Sequence, residues 1–330
     1  MNDANFDMYH RVGYPAKSAS VGETTRMEFG ASIWPFQWIP PYEDGIKRLA
    51  KLGFKNVELI AWDRQTLDQY YTPEKIASLR ALIADQGMKM SAFIHSPAGS
   101  GDPDAAKRAV AVEHFKRAAD VAVALGTGII NSVVPTPFGL PMPRMQDMPL
   151  TQELSVDIPP GLNWTDGYNW YVDTLRQLCA ICEQAGLKYA LETHPHRWAA
   201  TAIGLLRLFE HVDSPALGAN FDPSHSFPCG DLPQVAVRQL GSRIFHCHFS
   251  DNDATSNAHW RPGRGKIDWA QTLEALKEVG FNGVISIELE DVPGRANRNM
   301  VTAAPSFEYE NTESVRFLRE QAAKHGLTIS

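Results

Sequence analysis

Short apolar runs alternate with amphipathic stretches along the chain. Stretches of helical period, such as TPEKIASLRALIADQG from Thr72 and DWAQTLEALKEVG from Asp268, separate runs that are rich in β-branched and aromatic residues. The eight β-rich runs begin at Met27, Asn56, Met88, Gly128, Leu187, Ala216, Arg243 and Gly283. Nearly continuous apolar strands imply a sheet that helices cover on both faces. Because the strand–helix units follow one another in a single pass, the pattern predicts an α/β fold, a closed (β/α)8 TIM barrel.

Local signals mark where several of these helices begin and end. Thr72 before Pro73 is typical of a helix N-cap followed by proline in the first turn. Five glycines close helical stretches just before a predicted strand, as expected at the C′ position of a helix: Gly53, Gly87, Gly126, Gly186 and Gly280. These signals support the alternating assignment.

The predicted barrel is one domain that spans residues 27–330, and an arm of residues 1–26 precedes it. The fourth and fifth strands are unusually far apart, and residues 135–166 between them are rich in proline and methionine. This loop leaves the C-terminal end of the fourth strand, where barrel enzymes have their active sites, so we expect it to cover the barrel mouth. A surface excursion or a subunit contact is the alternative.

Composition narrows the classes of function. Of 330 residues, 44% are hydrophobic and 21% charged, as in ordinary globular proteins. A net charge of −7, from 38 acidic and 31 basic residues, gives no positive electrostatic potential that would attract a nucleic acid backbone. No apolar stretch has the length of a membrane span. The acidic start MNDANFDMYH lacks the features of a secretory signal, and four cysteines are too few for a disulfide scaffold. We therefore expect a cytoplasmic protein without nucleic acid or membrane partners.

Cys179 and Cys182 form a CxxC pair within a helical stretch. No second cysteine pair or histidine pair is present to complete a zinc site. We expect both thiols to pack inside the protein.

Acidic and imidazole side chains gather at the C-terminal ends of the last four predicted strands. They are Glu192 and His194, Asp222 and His225, His246 and His248, and Glu288 and Glu290. Strand residues two positions apart share a face, so both members of such a pair point into the barrel if one does. Burying this many acids in a barrel mouth is unfavourable unless a cation compensates their charge.

A divalent metal ion would compensate. Glu192, Asp222, His248 and Glu288 offer oxygen ligands with one imidazole, a set that suits Mn²⁺, Mg²⁺ or Co²⁺, with Zn²⁺ also possible. We expect Mn²⁺ first. The alternative for each histidine taken singly is a hydrogen-bonded core residue without a ligand role.

From Met27 to Gly326 the chain resembles the xylose isomerase-like barrel superfamily, in particular its sugar phosphate isomerase/epimerase branch. The segments that carry the resemblance are GFKNVEL at Gly53, ALETH at Ala190, NFDPSHS at Asn220, HCHFSDND at His246, GRGKIDW at Gly263 and GVISIELED at Gly283. The resemblance implies that Glu192, Asp222, His248 and Glu288 bind the metal. It also implies that His225 lies beside the metal or the substrate.

Two departures from this superfamily restrict the expected activity. Ketose 3-epimerases carry a Glu-Pro motif on the fifth strand and an arginine six residues after the metal histidine, and here these positions read Glu192-Thr193 and Ala254. The DNA-repair endonucleases need an Asp-x-His after the seventh strand, which His259-Trp260-Arg261 does not supply. A free-ketose 3-epimerase is therefore disfavoured, and so is an endonuclease.

The expected chemistry is removal of a proton from the carbon next to a sugar carbonyl, through an enediolate. The resemblance makes Glu192 and Glu288 the acid/base pair. His194 is a second candidate base, because it shares a face with Glu192 and an imidazole titrates near neutral pH. The expected substrate-binding residues are Trp34, Glu58, His95, His225 and His246.

Several activities begin with this step, and the sequence leaves them open. The first is a metal-dependent sugar isomerase or epimerase. The second is the catalytic subunit of a C-glycoside deglycosidase, a lyase that eliminates the aglycone of a 3-oxo aryl C-glycoside. The chain also resembles these enzymes, and five aromatic residues would suit a flat aglycone: Trp34, Phe36, Trp38, Phe138 and Trp164. An inosose-type dehydratase, a glycoside hydrolase with metal-free carboxylates and a non-catalytic sugar-binding protein also stay open. The expected partners are a small sugar or glycoside, and either further copies of the chain or a small second subunit.

Overall fold

Eight parallel strands pair in the order of the sequence, and the last pairs with the first, so that the sheet closes into a barrel. In this computed structural model the described residues are 26–141, 156–290 and 304–330. The strands are Glu28–Ser32 (β1), Asn56–Ile60 (β2), Lys89–Ile94 (β3), Ile129–Val133 (β4), Lys188–Glu192 (β5), Leu217–Phe221 (β6), Ile244–Phe249 (β7) and Val284–Ile287 (β8). Each strand lies within one of the predicted runs, and the predicted TIM barrel is confirmed.

Helices lie between successive strands and pack against one another around the sheet. They are Glu43–Lys51 (α1), Arg64–Gln69 (α2), Pro73–Asp85 (α3), Ala105–Leu125 (α4), Trp164–Ala185 (α5), Ala202–Val212 (α6), Pro223–Ser226 (α7), Pro233–Leu240 (α8), Trp269–Glu278 (α9) and Ala304–Ala323 (α10). Among the described helices, none has both the length and the apolarity that crossing a membrane requires.

The predicted helix ends are confirmed. The side chain of Thr72 accepts a hydrogen bond from Lys75 N at 3.3 Å, and Pro73 opens α3. The five glycines expected at C′ positions all have left-handed backbone, with φ of 91° at Gly53, 67° at Gly87, 87° at Gly126, 69° at Gly186 and 73° at Gly280. The prediction succeeded because left-handed backbone is accessible to glycine without a steric penalty.

Two predicted segments fall wholly or partly outside the described residues. Of the arm of residues 1–26 only Arg26 is described, so the arm stays a prediction. Of the loop of residues 135–166, residues 142–155 lie outside the described part, and the end of the predicted loop is the first turn of α5, which begins at Trp164. The helix begins there because the side chain of Asn163 accepts a hydrogen bond from Asp166 N.

Cys179 and Cys182 lie on the inner face of α5 within the hydrophobic core. Both are free thiols, and burial raises the pKa of Cys179 to about 12. The predicted packing role is confirmed.

The segment between β7 and α9 is held firmly against the barrel. Asp251 and Trp260 exchange two backbone hydrogen bonds, which fold residues 252–259 back over the barrel mouth. The Asp251 carboxylate also accepts hydrogen bonds from Gly263 N, Ile267 N and Trp269 Nε1, at 2.8–3.2 Å. From outside, Arg261 and Arg264 form ion pairs with Glu310 of α10 at 2.9 and 3.0 Å.

A close approach in β6 gives a stability prediction. A Cβ at Gly218 would overlap the carbonyl oxygen of Arg243 and the ring of Phe245. We expect Gly218→Ala to lower the free energy of unfolding by about 1–3 kcal/mol, because overpacking forces these neighbours apart. Gly128→Ala is the matched control, since a Cβ at that position would meet no described atom within 4 Å. Urea unfolding followed by circular dichroism checks both; equal midpoints would contradict the prediction.

Candidate metal centre and its cavity

Four side chains from the last four strands meet at the C-terminal end of the barrel. Glu192 ends β5, Asp222 directly follows β6, His248 lies in β7 and Glu288 directly follows β8. All four are buried, and one ligand atom from each lies within 4.8 Å of those of the others. The barrel register therefore brings together the residues that the sequence analysis grouped.

Within this metal cluster (Glu192, Asp222, His248 and Glu288), three buried atoms make no hydrogen bond: Asp222 Oδ2, Glu288 Oε2 and His248 Nδ1. His248 Nδ1 lies 2.7 Å from Glu192 Oε1 and 3.1 Å from Glu288 Oε2, but not in hydrogen-bonding orientation. Buried polar atoms without partners are rare in folded proteins. Two carboxylate oxygens and an imidazole nitrogen without hydrogen bonds, in a buried cluster of this size, fit a divalent cation.

Neighbouring donors hold the other oxygens of these carboxylates. They are Ser224 N to Asp222 Oδ1 at 2.7 Å, Trp34 Nε1 to Glu288 Oε1 at 2.9 Å and Asn220 Nδ2 to Glu192 Oε1 at 2.7 Å. Each hydrogen bond fixes one edge of a carboxylate. Those to Asp222 and Glu288 leave the other edge facing the centre of the cluster.

The electrostatics of the cluster also favour a cation. Burial, with the Glu192 and Asp222 carboxylates nearby, raises the pKa of Glu288 to about 7 despite the attraction of His248. Burial opposes a charge on His248, but the carboxylates of Glu58, Glu288 and Glu192 outweigh it and raise the pKa of this imidazole. The field at this point therefore stabilises positive charge.

A second layer lies beneath the cluster. Glu58 of β2 is fully buried, and its carboxylate accepts a hydrogen bond from His248 Nε2 at 2.8 Å. His246 Nε2 lies 3.7 Å from the other oxygen of Glu58, and His246 Nδ1 is 3.1 Å from Asn220 Oδ1. A proton held on His248 Nε2 by Glu58 leaves the Nδ1 lone pair for the cluster.

Three further histidines lie beside the cluster. The rings of His194 and His225 stack with their centroids 3.4 Å apart, and His225 Nδ1 lies 2.8 Å from Asn257 Oδ1. The Nε2 atoms of His225 and His259 are each 3.6 Å from Asp222 Oδ2. Burial, reinforced by Arg197, holds the pKa of His194 well below its usual value, so this imidazole is neutral at pH 7.

Sequence reasoning did not identify His259 and Asn257 as site residues. Both lie in the segment that the Asp251–Trp260 bridge folds back, and His259 is fully buried. No periodicity marks such a segment, so the sequence carries no signal for this contact.

Two cavities open above the metal cluster. The inner one, of about 40 Å³, is bounded by Glu192, His248, Glu288 and Trp34. The outer one, of about 610 Å³, is lined by Trp38, Arg197, Asn257 and the loop of residues 96–101. Both cavities share the lining residues Trp62, Val133, His194, His225 and Glu290. The cluster is therefore reached through a space large enough for a ligand of drug size.

The predicted substrate-binding residues divide into two groups. Trp34 and His225 line the cavities. Glu58 and His246 lie beneath the cluster, and His95 is buried at the end of β3 with its Nδ1 2.8 Å from the carbonyl oxygen of Ala61. Burial lowers the pKa of His95 to about 4, so its neutral ring donates this hydrogen bond. None of these three borders either cavity.

Of the five aromatic residues considered for a flat ligand, Trp34 lines the inner cavity, and the other four divide. Trp38 lines the outer cavity, and its ring stacks on that of Trp62 at 5.5 Å between centroids. Trp164 and Phe138 instead pack against Trp198, and Phe36 packs in the core. The aromatic wall of the outer cavity is thus formed by Trp38 and Trp62.

Comparison with known proteins finds sugar epimerases and isomerases among the relatives of this chain. D-psicose 3-epimerase of Ruminiclostridium cellulolyticum is 25% identical over 267 residues, which cover 78% of this chain and 81% of that protein. Inosose isomerase of Bacillus subtilis is 32% identical over 126 residues. That alignment covers 36% of this chain and 45% of that protein, so the chain spans less than half the length of some curated relatives. These relatives are sugar epimerases and isomerases.

Solved structures share the fold. D-psicose 3-epimerase with D-tagatose from Clostridium cellulolyticum H10 superposes with a TM-score of 0.69 at 20% identity, over 89% of this chain and 99% of that one. The 3-keto-D-glucoside 4-epimerase of E. coli gives 0.66 at 16% identity, over 90% and 100%. The family model described as xylose isomerase-like TIM barrel matches residues 46–321. Since this match spans most of the barrel, the chain belongs to the xylose isomerase-like TIM barrel family.

Proposed function

We propose that this protein is a divalent-metal-dependent sugar isomerase or epimerase, which removes a proton from the carbon next to a sugar carbonyl. The observation that carries the proposal is that one ligand atom from each of four buried residues lies within 4.8 Å of those of the others, while Asp222 Oδ2, Glu288 Oε2 and His248 Nδ1 make no hydrogen bond. The sugar epimerases among the relatives support the reaction class. The departures at Thr193 and Ala254 favour a substrate other than a free ketose.

In this proposal Glu192, Asp222, His248 and Glu288 hold the cation. Three carboxylates and one imidazole suit Mn²⁺ first, with Mg²⁺, Co²⁺ and Zn²⁺ as alternatives. When bound, the cation supplies a Lewis acid that stabilises negative charge on a substrate oxygen.

Two arrangements of acid and base are compatible with the geometry. His194 lines both cavities, and its Nδ1 makes no hydrogen bond, so a neutral imidazole there can accept the carbon-bound proton. Alternatively, Glu192 and Glu288 act as the pair, one removing the proton and the other returning it. Return to the opposite face of the same carbon gives epimerisation, and return to the neighbouring carbon gives isomerisation.

Solvent-deuterium incorporation tests this proposal. Ketoses, 3-oxo-glucosides and aryl C-glycosides would be incubated with the protein in ²H₂O, and bound metal would be quantified in the same sample. We expect one carbon next to a carbonyl to exchange in at least one class, and only with metal present. Exchange that persists in excess chelator would contradict the proposal.

A second candidate is the C-glycoside lyase, which the outer cavity favours. Its volume of about 610 Å³ and the Trp38–Trp62 stack could accommodate an aromatic aglycone beyond the sugar. The same proton removal would then be followed by loss of the aglycone as a carbanion that takes up a proton. Release of free aglycone from a 3-oxo aryl C-glycoside distinguishes this reaction from epimerisation.

We expect Glu58→Gln to weaken metal binding by about 10–100-fold, the usual effect of removing a partner behind a ligand histidine. The substituted amide would leave His248 without the charged acceptor that orients its ring. Titration with Mn²⁺ followed by electron paramagnetic resonance measures the affinity. Glu74→Gln, at an exposed position on α3, is the control. Unchanged affinity would show that Glu58 does not position His248.

Location and assembly stay predictions. The free thiols Cys179, Cys182, Cys229 and Cys247 are compatible with the predicted cytoplasmic location. We also retain the proposal of one barrel domain over residues 27–330 after an arm, and of either identical subunits or a small second subunit.

A further inference from the structure

The outer cavity contains a cationic side chain that forms no ion pair with any residue in the described part of the chain. Arg197 follows β5, five residues after Glu192, and lines the cavity together with His194. The side chain is half-buried, and burial lowers the pKa of its guanidinium. Within the described ranges, no hydrogen-bond acceptor or carboxylate lies within bonding distance of it. Glu290 lines the same cavity, but no ion pair joins the two residues.

Other partly buried arginines in the described part of the chain are paired. Arg48 contacts Glu308 at 3.1 Å, Arg261 contacts Glu310 at 2.9 Å, and Arg243 donates to two carbonyl oxygens at 2.7 and 2.9 Å. A guanidinium keeps its charge at any physiological pH, and partial burial without a partner is unfavourable. Arg197 therefore differs from the arginines that stabilise the fold.

We propose that Arg197 binds an anionic oxygen group, a carboxylate or a phosphate, carried by the sugar substrate away from the carbon that loses its proton. The planar guanidinium matches either group with two parallel hydrogen bonds. The outer cavity, beyond the small space above the metal cluster, has room for a group remote from the reacting carbon. This inference rests on the proposed function for the identity of the substrate as a sugar.

Matched pairs of sugars test the inference by equilibrium binding. D-Glucuronate with D-glucose, and D-fructose 6-phosphate with D-fructose, would be titrated calorimetrically into the full chain loaded with Mn²⁺. We expect at least one charged sugar to bind about tenfold more tightly than its neutral parent. A preference for glucuronate identifies a sugar acid, and a preference for the phosphate identifies a sugar phosphate.

Variants assign the preference to the side chain. In Arg197→Gln the charged and neutral sugars should bind within twofold of each other, while bound metal stays unchanged; Arg197→Lys should keep part of the preference. Arg207→Gln is the control, since Arg207 lies over the ring of Tyr168 on α5. If Arg197→Gln does not fold, two other measurements test the inference. A reduced preference for the charged sugar in Arg197→Lys and competition between inorganic phosphate and that sugar in the wild type would support it, and the absence of both effects would overturn it.

Charged sugars that bind no more tightly than their neutral parents overturn the inference, and so does a preference that survives in Arg197→Gln. Neither result depends on turnover. Lack of metal-dependent proton exchange would contradict the proposed function alone, whereas an anion preference independent of Arg197 would contradict this inference alone.

Discussion

Glu192→Gln and Glu288→Gln are each expected to abolish proton exchange while the barrel stays folded. Each change removes a charge from the metal cluster but keeps the size of the side chain, and Asn220 and Trp34 can still contact the new amide. Loss of the metal removes the stabilisation of charge on the substrate oxygen, so we expect turnover to fall at least about a thousandfold. Deuterium exchange measures turnover, elemental analysis measures bound metal, and circular dichroism shows whether the barrel is folded.

Chelation of the wild-type protein is expected to have the same effect, and added Mn²⁺ should restore exchange. Glu113→Gln, on the exposed side of α4, is the control for the substitutions. A dialysed wild-type sample that keeps full turnover in excess chelator would refute the assignment of all four ligands at once.

His194→Ala is expected to slow proton exchange by about 10²–10⁴-fold with the metal content unchanged, the range for loss of a general base. The imidazole lines both cavities and stacks on His225 without contributing to the metal cluster. The measurement is the kcat for deuterium exchange at saturating substrate, alongside bound metal per chain.

The control for this change is His196→Asn, since His196 lines the outer cavity but is exposed, and asparagine tolerates its φ of 61°. Unchanged kcat in His194→Ala would assign the base role to Glu192 or Glu288 instead. Loss of metal together with turnover would mean that His194 supports the cluster.

Much of the site could be predicted because strands are regular. A strand places alternate residues on one face, and parallel barrel strands end at the same rim, so Glu192, His248 and Glu288 had to lie close together once the barrel was assigned. The prediction needed only local pattern and topology. In the structure, the pairing of β1 with β8 also brings Trp34 within hydrogen-bonding distance of Glu288, a contact that was not predicted.

Whether an inward-pointing side chain lies at the cavities or deeper in the barrel core was harder to predict. Glu58 lies in the middle of a predicted strand and His95 at the end of another, yet both side chains are buried where neither the inner nor the outer cavity reaches them. Whether an inward residue faces ligand or core depends on the stagger of neighbouring strands. The β2–β3 register, for example, shifts between Val57 and Glu58. A hydrophobicity pattern does not encode that stagger.

Irregular segments escaped prediction altogether. His259 reaches Asp222 only because Asp251 pairs with Trp260 and the intervening residues fold back. Arg197 was not singled out because one charged residue in a loop gives no pattern, and its lack of a partner is visible only in three dimensions.

The ion pairs of Glu310 with Arg261 and Arg264 connect α10 to the segment that carries Asn257. Asn257 lines the outer cavity, whereas no described residue of α10 does. We expect substitutions at Glu310 to release this segment and so to shift His259 and Asn257 indirectly. We therefore expect such substitutions to alter ligand binding without replacing any residue that lines the two cavities.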